Sequence, residues 1–193
     1  MTIKIKNRFT GEVLHTVKAD TLVGADFRGE NLSEADLTNT NLTKADLRNA
    51  DLANANLTDA DLTKAVSHNV CLREADLSRA ILTGANFTGA ILAKASLIDA
   101  NLTKADLHGA NLTGANLTDA DLTKADLRGA DLHNADLSNA NLTGVDLTYS
   151  NLCAANLTGA NLTDANLRWA NLTRAVLTGT VLSGANLDGA SMS

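Results

Sequence analysis

The residues of this chain that could ligate a metal or move a proton are four histidines, two cysteines and many aspartates. His68 and Cys71 stand three residues apart, but two ligands do not complete a structural zinc site. His68 and His108 are separated by forty residues, and His15 and His133 occupy unrelated places. The aspartates recur at a fixed interval, so pairs of carboxylates arise from the pattern itself. Such a pair does acid–base work only where burial or coupling shifts a pKa, and these aspartates are expected to be wet. There is no Gly-rich phosphate loop and no Cys-x-x-Cys motif. The expectation is therefore a protein that is not an enzyme, with no catalytic residues, no cofactor and no metal.

Contact chemistry is better represented. Tyr149 and Trp169 lie twenty residues apart, and Arg168 stands beside Trp169. Trp, Tyr and Arg are the residue types that dominate binding hot spots. Cys71, Ile81, Ile91 and Ile98 interrupt positions that are otherwise mostly polar. They are read as a seam between duplicated blocks, since residues 41–65 and 101–125 are near copies sixty residues apart. The alternative is an exposed apolar patch for a partner.

The elements that position these residues follow from a five-residue phrase. Asn101 to Ala125 reads NLTKA DLHGA NLTGA NLTDA DLTKA. Every fifth residue from 22 to 187 is Leu or Phe, with Ser67 the single exception. A step of five rotates about 140° on an α-helix, so these Leu would spiral round every side. On a flat strand they would alternate faces. The spacing makes sense if the chain bends once per phrase and Leu always points inward, with the Ala two residues before it also inside. Outward residues then set the size of a coil. Lys44, Lys64, Lys104 and Lys124 differ by multiples of twenty, as do Arg28, Arg48, Arg128 and Arg168. Four sides and twenty residues per coil give about 8.5 coils, a rod of roughly 40 Å at ~4.8 Å per coil. Tyr149 and Trp169 then share an outward column and are expected to stack, contributing about 0.5–1.5 kcal/mol.

The phrase A-(D/N)-L-x-x, as in Ala105-Asp106-Leu107 and Ala115-Asn116-Leu117, resembles the pentapeptide repeat family. The likeness runs over roughly residues 20 to 190, and the stretch KNRFTGEVL near the N-terminus is similar to the start of cyanobacterial members. It implies an all-β fold, a right-handed quadrilateral parallel β-helix. It says little about function, because the motif residues are scaffold residues.

One domain in two parts is expected: residues 1–19 as a strand or hairpin cap, with Ile3-Lys4-Ile5 and Glu12 to Val17 as its extended runs, and residues 20–193 as the β-helix. The net charge of −6 disfavours direct binding of nucleic acid, which needs a basic patch. Cys71 and Cys153 lie about four coils apart, too far to pair, and suggest a reducing compartment. No apolar run matches a signal peptide or a membrane span, so the cytoplasm is expected. Little covers the last coil, and end-to-end homodimerisation through it is one expectation.

Three functions compete. The first is a scaffold that binds an unknown protein partner. The second comes from the resemblance: a DNA-mimicking binder of a type II topoisomerase such as gyrase, as in the quinolone-resistance members. This chain has Arg and His beside its Asp columns, no long loop interrupting the repeat and no C-terminal helix, which weakens that reading. The third is an ice-binding face made by Thr43, Thr63, Thr83, Thr103, Thr123, Thr143 and Thr163, although Lys44, Lys64, Lys104 and Lys124 stand next to it.

Overall fold

The computed structural model describes residues 1–192. From residue 22 onward the chain repeats one unit: a single bridging residue, the inward Leu, two turn residues and the inward Ala. Every solenoid bridge joins residues twenty apart in parallel, from Asp26↔Asp46 to Asn171↔Ser191. Four inward Leu-slot residues per twenty make the coil four-sided, and the whole is a right-handed β-helix. The sides are named here by their first inward residue: side one from Leu22, side two from Phe27, side three from Leu32 and side four from Leu37.

The pentad accounts for all five of its backbone N–H groups, as buried or ladder-forming amides require. In the unit at 101–105, Asn101 donates to Ala80 O of the preceding coil at 3.0 Å. Leu102 and Lys104 donate to Asp121 O and Thr123 O of the following coil at 2.7 and 3.0 Å. Ala105 closes the turn onto Leu102 O at 2.9 Å. The fifth, Thr103 N–H, donates to the side-chain Oδ1 of Asn101 at 3.0 Å. This is why Asp or Asn precedes Leu: its oxygen caps the one amide that the ladder leaves over, an Asx turn repeated along the rod. At Val66, Cys71, Ile81, Ile91, Ser96, Val176 and Val181 that oxygen is missing, and His68, Arg73, Thr83, Ala93, Ile98, Thr178 and Ser183 have no such cap.

Inside, the Leu and Ala slots form one continuous apolar column, with Leu102, Leu112, Leu117 and Leu122 fully buried. Ser67 is the polar residue within the Leu column, and Phe87 stands one coil on in the same column. The larger ring offsets the smaller hydroxyl, which keeps the interior filled. Ser67 Oγ is, among the described residues, the one buried side-chain N or O atom with no hydrogen-bond partner. Its desolvation is uncompensated. Ser67→Ala is therefore expected to stabilise the fold by on the order of 1 kcal/mol, read from urea unfolding midpoints; a fall in midpoint would contradict this.

At the N-terminal end, β1 (Ile3–Asn7) and β2 (Val13–Val17) form an antiparallel hairpin. β1 also pairs antiparallel with β3 (Ala35–Asp36) on side four, where a preceding coil would otherwise lie. Ile5 is buried, and Ile3, Leu14 and Val17 pack on the core, so the hairpin covers the first coil. The edge of His15 meets the ring of Phe27 with centroids 5.6 Å apart, and its Nδ1 lies 3.2 Å from Glu30 Oε2. The other end is different. Leu177, Leu182 and Leu187 are only half-buried, and Val176, Val181 and Met192 are exposed.

Candidate functional site

The outward residues are the variable ones, so the site must be sought on the walls and corners. The interruptions Cys71, Ile81, Ile91 and Ile98, with Val66 just before them, do not converge. Cys71 and Ile91 are bridge partners on side three. Ile81 bridges Asp61 and Asn101 on side one, the opposite wall. Ile98 follows Leu97 on side four, and Val66 lies on side two. The expected apolar patch is thus dispersed over the four sides, because neighbours in sequence five or ten residues apart are carried to adjacent or opposite walls. Only Cys71 and Ile91 remain together. Both cysteines are free and half-buried.

Side two carries three arginine–aspartate pairs. Arg28 binds Asp26 through two nitrogens at 2.8 and 2.6 Å, and Arg48 binds Asp46 at the same distances. Arg128 holds Asp126 in the same way. In each case the aspartate also caps the arginine's own backbone N–H. On the corner after side four, Arg79 reaches one coil back to Asp59 with two bonds of 2.8 Å. The Arg28 side chain holds the Asp26 carboxyl at about 2, well below its ordinary 3.8. Arg48 and Arg128 lower Asp46 and Asp126 in the same sense.

Because the folded pKa of Asp26 lies below the unfolded value, its contribution is present above about pH 4 and is lost as the pH falls toward 2. These pairs are exposed, so the effect is modest and screened by salt. The thermal midpoint of the wild type is expected to fall more steeply between pH 4 and pH 2 than that of an Arg28→Ala, Arg48→Ala double variant. Parallel curves would show that the pairs do not couple to folding.

Arg168 breaks the pattern of its column. Two residues before it stands Asn166, where the three other arginines have Asp. Asn166 caps the Arg168 backbone N–H at 3.3 Å, and the guanidinium forms no ion pair among the described residues. On the corner beside it, Tyr149 is 69% and Trp169 53% exposed. The two rings do not stack as expected: His15 with Phe27 is the one aromatic ring pair among the described residues. The indole instead lies over Gly189, one coil further on, where any Cβ would overlap it. Trp169 leans along the axis away from Tyr149, and a residue without a side chain makes room for it.

Two features of the walls went unread in the sequence. One is the capping role of the Asp/Asn slot. The other is the conformation of the second residue after each Leu, which is left-handed throughout: φ is 59° at Lys104, 58° at Asp119 and 61° at Tyr149. The signal was present, since no Val, Ile or Thr occurs at that place in any phrase from Gly24 to Gly189. Elsewhere, a shallow recess of about 300 Å³ opens beside the cap, lined by Ile3, Thr21, Leu22, Val23, Thr40 and Asn41. No titratable side chain lines it.

Comparison with known proteins agrees with this geometry. The family model described as pentapeptide repeats matches in eight copies, with spans from 31–66 to 155–193. The chain belongs to the pentapeptide repeat family. Among solved structures it is similar to HetL, a pentapeptide repeat protein involved in heterocyst differentiation regulation from the cyanobacterium Nostoc sp. strain PCC 7120. The two share 37% identity over 88% of this chain and 86% of that one, with a TM-score of 0.51. It is also similar in fold to QnrB1, a plasmid-mediated fluoroquinolone resistance protein, at 19% identity over 90% and 89% of the two chains, with a TM-score of 0.55. A pentapeptide repeat protein from the Arabidopsis thaliana thylakoid lumen shares 38% identity over 57% of this chain and 63% of that one, with a TM-score of 0.40. No curated protein matches the chain.

Proposed function

We propose that this protein is a non-catalytic scaffold that acts by binding another protein. One observation carries the reading. The interior is filled by Leu and Ala from end to end, so any ligand must be met on the outer walls, and those walls hold exposed Trp169, Tyr149, Ile81 and Ile91 among polar residues. Exposed aromatic and aliphatic groups on a rigid frame suit protein contact. The likeness to HetL, involved in differentiation regulation, supports a regulatory role of this kind. The likeness to QnrB1 concerns the fold alone. On side two and on the corner after side four, arginines offset the acidic groups that a duplex-like surface would present, at Asp26, Asp46, Asp59 and Asp126, whereas Asp51, Asp61, Asp121, Asp131 and Asp136 on the other walls carry no such partner among the described residues.

The test is affinity capture from the native host with the full chain, followed by mass spectrometry, beside a gyrase supercoiling assay. A saturable protein partner and unchanged supercoiling are expected. Capture of nothing above a control rod, or inhibition of supercoiling at micromolar protein, overturns the scaffold reading.

A further inference from the structure

We infer that the corner formed by Tyr149, Arg168 and Trp169 is a docking site for an acidic segment of a protein partner: a side-chain carboxylate on the Arg168 guanidinium and an apolar neighbour against Trp169. This deepens the scaffold reading and rests on it.

Four independent observations carry the site. First, the column supplies its own counter-ion to Arg28, Arg48 and Arg128 and withholds it from Arg168 alone, by placing Asn166 where Asp26, Asp46 and Asp126 stand. Asp188, one coil on in the same row as Arg168, forms no ion pair with it. An exposed guanidinium with its bidentate fork free matches a carboxylate in geometry and charge. Second, Tyr149 and Trp169 are the aromatic residues at a turn position that is left-handed throughout the rod, with φ 61° and 59°. Gly89, Gly109 and Gly129 precede them in the same corner and Gly189 follows, so the two rings stand above a locally flat edge. Third, the indole is seated on Gly189, which fixes its orientation before any partner arrives. Pre-ordered aromatic side chains lose little entropy on binding. Fourth, side-chain hydrogen bonds run coil to coil along the adjoining wall. Ser191 donates to Asn171, Asn171 to Asn151 and Asn151 to Asp131, at 3.2, 3.2 and 2.9 Å.

Trp169 is the chain's one tryptophan, so its emission reports on this corner and nowhere else. The full chain is titrated with the peptide Glu-Glu-Leu-Phe-Glu-Glu and with its counterpart Lys-Lys-Leu-Phe-Lys-Lys, both blocked at their ends, in low salt. The acidic peptide is expected to change Trp169 emission saturably. Arg168→Ala, checked for an unchanged circular dichroism spectrum, is expected to weaken that binding at least tenfold, and Arg168→Lys to recover part of it. Equal binding of the lysine peptide, equal binding by Arg168→Ala, or no saturable change with the acidic peptide overturns the inference. Host capture keeps the two proposals apart. A partner retained by both Arg168→Ala and Trp169→Ala leaves the scaffold reading standing and removes this site from it.

Discussion

Leu117→Ala is expected to destabilise the protein by about 3–5 kcal/mol, the upper part of the range for buried leucines. The reason lies in the ladder. Leu117 is fully buried between Leu97 and Leu137 of its own column. Its coil is tied to the next by Leu117 N–H on Asp136 O and to the previous one by Leu97 N–H on Asn116 O, at 2.6 and 2.7 Å. The spacing of coils is fixed by these bonds, so the walls cannot close over the space that Ala leaves. The same change at Leu182 is expected to cost less than about 2 kcal/mol, because Leu182 is already half-exposed in the last coil and little cavity results. Urea denaturation of both variants separates these outcomes. Similar losses at the two sites would mean that the column relaxes freely and that coil spacing is not set by the backbone.

That contrast shows what could be read from sequence. Leu102 and Leu122 on one wall, and Ala two residues before each Leu, followed from geometry: a step of five can keep one side chain inward only in a chain that turns at every step. The twenty-residue coil followed from Lys44, Lys64, Lys104 and Lys124 recurring together, and the bridge Asn101↔Asp121 shows the same interval. Pairwise detail on the outer walls was less legible. Tyr149 and Trp169 share a column, yet a rotamer chosen along the axis placed the indole on Gly189. Column membership fixes where a Cα stands and leaves χ angles to local packing. Ile81 and Ile91 lie ten residues apart, half of a twenty-residue coil, and so face opposite ways. The Asp/Asn slot was read as a wet scaffold position, and most of it is instead half-buried. Its choice of residue comes from the Thr103-type amide that lies outside the ladder, a demand invisible until every N–H is assigned.

The turn corner is where sequence restraint and structure meet most sharply. Lys104→Val is expected to destabilise by about 1–2 kcal/mol, and Lys104→Gly to be neutral or stabilising by less than about 1 kcal/mol. Lys104 has φ 59° with its side chain in solvent, so no packing or charge contact explains a loss on replacement. A β-branched side chain in the left-handed region meets the following carbonyl, which Gly does not. If Val pulled the residue out of that region, the bond from Lys104 N–H to Thr123 O at 3.0 Å and the turn closure from Ala105 to Leu102 at 2.9 Å would be lost together. Adding Lys124→Val one coil on, where Lys124 N–H binds Thr143 O at 3.0 Å, is expected to cost more than the sum of the single changes, because the two corners share the intervening ladder. Thermal melts of the two single Val variants, the double variant and the Gly control decide the matter. Equal midpoints for Val and Gly would show that the inter-coil bonds do not hold the corner in its left-handed form. Asn54, Arg79, Lys104, Asp119, Tyr149 and Trp169 are all held at φ near 60°, and each adds one bond to the next coil. Residues whose side chains then point freely outward can vary in kind, and that variation is what a scaffold needs to present one corner differently from the rest.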